Sequence, residues 1–68
     1  MATGKVKWFD TTKGYGFIVP DEGGKDVFVH ITAVQKAGYT SLVEGLRVSY
    51  ELRPDREGKP TAESLRFG

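Results

Sequence analysis

The chain has 68 residues, ten basic against nine acidic, and a formal net charge of +1. That length predicts one domain over 1–68 that buries only about 60% of its extended-chain surface. With no cysteine and a single histidine, the composition offers no disulfide, thiolate metal site or zinc centre.

No stretch approaches the roughly 20 apolar residues of a membrane span, and no lipidation signal is present. Met1-Ala2-Thr3-Gly4 lacks the apolar run of an export signal. A reducing, cytoplasmic setting is expected, with no membrane partner.

Glycines punctuate β-branched and aromatic runs roughly every ten residues, the pattern of a small all-β barrel or sandwich. A first strand is predicted over Lys5–Asp10 and a second over Gly16–Pro20. Asp21-Glu22-Gly23-Gly24-Lys25 reads as a turn, and a third strand follows over Asp26–His30. Ile31–Lys36 is expected to form a short helical turn with Thr32 as N-cap. A fourth strand is expected over Leu46–Arg53, a polar loop over Asp55–Lys59 and a fifth strand over Thr61–Phe67.

Strand side chains alternate between two faces. The aliphatic set Val6, Ile18, Val27, Val29, Val34, Val48, Leu52, Ala62 and Leu65, with Tyr50, forms the expected core. Tyr15, Phe17, Phe28 and His30 then share the opposite face, and a patch of large rings outside a core marks an interaction surface. The first strand strains this pattern. Strict alternation sends Trp8 inward with Val6, whereas a bulge near Trp8 turns its ring outward.

Residues 1–20 carry Lys5, Lys7 and Lys13 against Asp10 alone, so the basic charge is local and interleaved with the rings. Single-stranded nucleic acid exposes base faces, on which rings stack at about 1–3 kcal/mol each, and phosphates, which lysines meet. The near-neutral total makes stacking the expected main source of affinity. Gly14 and Gly16 flank Tyr15 and are expected to leave room for a flat base. A protein-binding module using the same patch is the rival reading. An enzyme is not expected, because no nucleophile or paired base is evident.

Lys5-Val6-Lys7-Trp8-Phe9, Lys13-Gly14-Tyr15-Gly16-Phe17-Ile18 and Asp26-Val27-Phe28-Val29-His30 resemble the signature of the cold-shock proteins. The likeness runs on through Glu44-Gly45 to Gly58-Lys59-Pro60-Thr61-Ala62-Glu63. It implies an all-β, five-stranded antiparallel barrel of the oligonucleotide-binding type. It also implies loose binding of single-stranded RNA and DNA, nucleic-acid chaperone activity, and regulation of transcription or translation in the cold. A monomer without cofactor or small-molecule substrate is expected.

By that resemblance Trp8, Tyr15, Phe17, Phe28 and His30 stack on bases, and Lys7 and Lys13 meet phosphates. Asp26 accepts from a base edge, Tyr39 adds a loop aromatic, and Arg56 or Lys59 supplies a late-loop cation. Three departures stand out. Ile31 replaces a common aromatic, Asp10 a common asparagine, and Tyr15 the commoner phenylalanine. Binding weaker than in fully aromatic relatives is expected.

Overall fold

The computed structural model describes residues 1–67. Its elements are β1 (Ala2–Asp10), β2 (Tyr15–Pro20), β3 (Val27–His30), α1 (Ile31–Lys36), β4 (Arg47–Pro54) and β5 (Pro60–Phe67). The five strands close into a barrel in the order β1-β2-β3-β5-β4. All neighbours are antiparallel except β3 and β5, which meet in parallel at Phe28 and Thr61. Strand β1 serves two neighbours, pairing its first half with β4 and most of its length with β2.

The interior is the aliphatic set the alternation predicts, with two changes. Val6, Ile18, Val27, Val29, Val34, Val48, Tyr50, Ala62 and Leu65 are buried. Leu52 is 55% exposed and leaves the core. It lies in the inward phase of β4 with Val48 and Tyr50, but the strand has by then overrun the barrel end. There Leu52 lines an open hollow with Val27, Tyr50 and Pro60. Leu42, from the α1–β4 connection, is buried instead. No strand period marks that residue, so alternation could not find it.

The helix cap also differs from expectation. The N-cap is His30, not Thr32: its ring Nδ1 accepts from the Thr32 backbone N–H at 3.2 Å. Acceptance at Nδ1 puts the hydrogen of the neutral ring on Nε2.

Gly16 is buried and faces the interior. A methyl there would collide with the Trp8 carbonyl oxygen and come within 2.7 Å of Phe9 Cα. Its missing side chain lets β1 and β2 coil together and makes no room for a base, contrary to the sequence expectation. Gly14 has a φ of +81°, which a residue with a Cβ adopts only at a cost.

The Tyr50 side chain is fully buried, and its hydroxyl has no hydrogen-bond partner among the described residues. Burial, with a further push from the Asp21 and Glu22 carboxylates, holds its phenol above the usual tyrosine range. A raised acid pKa in the folded state stabilises the fold below the unfolded value, near pH 10. That contribution is lost as pH climbs through the folded value. Tyr50→Phe removes an unsatisfied group. It should leave the melting temperature unchanged or raise it, and should soften the loss of stability above about pH 10. A fall of several degrees at neutral pH would show that the hydroxyl is satisfied.

Leucine truncation separates the two corrected core positions. Leu42→Ala should cost about 2–3 kcal/mol, and Leu52→Ala less than about 1 kcal/mol. Equal costs by denaturant titration would contradict the barrel boundary drawn above.

Candidate functional site

Strand β1 contains one residue more than β2 can pair. Val6 lies opposite Ile18 and Trp8 opposite Phe17, so Lys7 is the extra residue of a bulge. Beyond it the phase of β1 is reversed. Phe9 turns in, partly buried against the core, and Trp8 turns out. The bulge raised as one alternative from the sequence is therefore present.

Register places the outward rings in two rows across the sheet. One row is Trp8, Phe17 and Phe28 on β1, β2 and β3. The other is Asp10, Tyr15 and His30. Ring centroids lie 5.3 Å apart for Trp8 and Phe17, 5.8 Å for Phe17 and Phe28, and 5.6 Å for Trp8 and Tyr15. Tyr15 stacks on Phe28 at 5.5 Å, and His30 lies 6.3 Å from Phe28. The rings contact mainly edge to face, an arrangement in which they support one another. Trp8, Tyr15, Phe17 and Phe28 are half-buried and His30 is exposed. The surface is thus apolar and open to a flat ligand.

Cations stand around its margin. Lys7, at the bulge, forms an ion pair with Asp26 at 2.9 Å, so two residues singled out from the sequence hold each other. Lys13 lies in the β1–β2 turn beyond Tyr15, exposed. Lys59 helps to line an open cleft of about 700 Å³ with Phe17, Phe28 and Asp26. Arg56 does not line this cleft, and Lys59 is paired with Glu57 at 3.5 Å. Lys25, read from the sequence only as the end of a turn, lines the same cleft. Only its place beside Asp26 could have signalled this.

Two of the departures have defined surroundings. The Asp10 carboxylate accepts from the backbone N–H groups of Thr12 and Lys13 at 2.8 and 3.1 Å. It closes the β1–β2 turn while setting a negative charge directly across from Tyr15. Ile31 is half-buried, and its amide donates to the Gly14 carbonyl at 2.9 Å. It borders the Tyr15 end of the ring cluster. Tyr39 is not brought into the cluster. Its ring packs on Phe67 with centroids 4.2 Å apart.

Among the described residues no group of three or more His, Cys, Asp or Glu side chains could hold a metal ion. No helix among them is long and apolar enough to cross a membrane.

Comparison with known proteins agrees with this geometry. The 'Cold-shock' DNA-binding domain family matches residues 2–67. The chain is 59% identical to the probable cold shock protein y4cH of Sinorhizobium fredii over 66 residues, 96% of each chain. It is 55% identical to cold shock protein CspA of Rhizobium meliloti over 67 residues, 97% of each. It is 49% identical to cold shock-like protein CspE of Escherichia coli K12, covering 91% of this chain and 90% of the other. With a closed five-stranded barrel of the oligonucleotide-binding type, a ring cluster on its outer face and a family match over nearly its whole length, the chain belongs to the nucleic-acid-binding cold-shock domain family.

Proposed function

We propose that the chain binds single-stranded RNA and DNA, with little sequence preference, by stacking bases on Trp8, Tyr15, Phe17, Phe28 and His30. The observation that carries this reading is the outward ring cluster itself, set apart from a complete aliphatic core. Every base has a π face, so such a surface accepts any sequence. A duplex hides those faces, which gives the preference for single strands.

Lys7, Lys13 and Lys59 meet phosphates at the margin. Lys7 must leave Asp26 to do so, and its departure frees the carboxylate to accept from a base edge. Ile31 adds an apolar contact in place of a stacking ring. Tyr39 is assigned to packing on Phe67 and not to the cluster. A protein that holds bases unstacked melts weak secondary structure, which is chaperone activity on RNA. Regulation of transcription or translation in the cold follows from it. We assign it to the cytoplasm as a monomer, with no small-molecule substrate or cofactor and no enzymatic activity.

Titration with oligothymidine, followed by Trp8 fluorescence at two salt concentrations, tests the reading. Quenching with a shallow salt slope is expected, because few phosphates are neutralised. No response at micromolar oligonucleotide would favour a protein partner for the same surface. Phe17→Ala and Phe28→Ala should each weaken binding by about 1–3 kcal/mol while the domain stays folded; unfolding of both variants would mean that these rings are structural.

The two departures give a gain-of-affinity test. Asp10→Asn keeps the turn acceptor and removes a charge, and Ile31→Phe restores a ring. Each should tighten oligothymidine binding severalfold. Unchanged affinity in both would remove Asp10 and Ile31 from the site.

A further inference from the structure

The outer face of the barrel carries a second concentration of positive charge that the ring cluster does not use. Lys5 lies directly opposite Val19 on β2 and directly opposite Arg47 on β4. Val19, Lys5 and Arg47 thus form a third row, next to that of Trp8, Phe17 and Phe28. All three are exposed, Val19 by 43%. Arg66 follows on β5. It is exposed, pairs with Ser49, and flanks the same shallow cleft as Arg47.

Like charges facing each other across a sheet cost stability, so this row calls for a counter-charge. The fold supplies one to Arg47 alone, through Asp21 at 3.1 Å. Among the described residues Lys5 and Arg66 form no ion pair. The next stretch of the same face is arranged oppositely. Glu51 and Glu63 also face each other, but Arg53 reaches both, at 3.0 and 3.3 Å. One guanidinium thus offsets half the charge of the acidic pair, whereas Lys5, Arg47 and Arg66 share a single counter-charge, Asp21, and keep a net positive charge.

We propose that Lys5, Arg47 and Arg66 form a track for the sugar–phosphate backbone of a single strand, carrying it from the ring cluster across β1 onto the β4–β5 face. Charge complementarity names a polyanion as the occupant. Continuity names the polyanion: the Val19–Lys5–Arg47 row adjoins the ring cluster, and Lys7 stands between the two on β1. The Glu51–Glu63 pair bounds the track on its far side. This inference rests on the single-strand reading above, and it adds a prediction that the ring cluster alone does not make. Affinity should rise with strand length beyond what covers the rings, and that increment should add its own salt dependence.

The test compares hexathymidine, about one base per ring, with a fifteen-residue oligothymidine, by fluorescence titration across a salt series. The first variant is the double substitution Lys5→Gln, Arg66→Gln, which leaves the Arg47–Asp21 pair intact. Hexamer affinity should be unchanged. Affinity for the long strand should fall roughly tenfold at low salt, and its log–log salt slope should lessen by about 1.4, two single-strand phosphate contacts. Adding Arg47→Gln should widen the loss, again only for the long strand. Thermal melting of each variant establishes that it is folded, and the double variant relieves repulsion, so it should melt no lower than the parent. Long-strand binding that is unaffected, or reduced no more than hexamer binding, would overturn the track. Failure of the unsubstituted protein to bind hexathymidine would instead overturn the single-strand reading on which the track rests.

Discussion

Strand β1 has to satisfy two demands that a regular strand cannot meet together. Its first half must send Gly4 and Val6 inward, against β2 and β4. Its second half must turn Trp8 outward beside Phe17. The extra residue at Lys7 reconciles them by reversing the inward phase between Val6 and Phe9. A bulge also increases local twist, which helps a five-stranded sheet to close. Gly16 completes the arrangement, because only a residue without a side chain admits the Trp8 carbonyl and Phe9 so near β2. The barrel interior and the ring cluster therefore depend on the same irregularity.

From that point the surface is organised by register. Trp8, Phe17 and Phe28 make one row; Asp10, Tyr15 and His30 make the next; Val19, Lys5 and Arg47 make a third. The rows pass from charge-flanked rings to exposed cations over the outside of one sheet. His30 links this surface to the fold, since its ring lies beside Phe28 and its Nδ1 caps α1. Asp10 likewise acts twice, closing a turn while facing Tyr15. Such double use is expected where few residues must provide both a core and a binding surface.

Much of this was legible in the sequence. Period-two alternation separates Ile18, Val27, Val29 and Val48 from Tyr15, Phe17, Phe28 and His30, because every one of these residues lies in a strand that stays within the barrel. The range of α1 was legible too, but its cap was not: Thr32 has the better capping propensity, and the ring of His30 takes the position. Leu52 has the right phase and the wrong depth, since alternation does not reveal where a barrel ends. Leu42 lies in an irregular connection without any period. The bulge was visible only as a conflict between Val6 and Trp8. Tyr39 could not be placed from pattern, because its partner Phe67 is distant in sequence and is set by the return of β5. The Arg47–Asp21 and Lys7–Asp26 pairs likewise depend on closure of the barrel.

The reversal of phase at Lys7 places Trp8 in one row with Phe17 and Phe28, and the proposed binding surface depends on that placement. Contacts between the ring protons of the protein and the bases of a bound oligothymidine, read by nuclear Overhauser effects in solution, test it most directly. From that dependence, base contacts to Trp8, Phe17 and Phe28 together are expected, continuing to Tyr15 and His30, with none to buried Tyr50. Base contacts that bypass Trp8, or that gather on Tyr39 and Phe67, would contradict it.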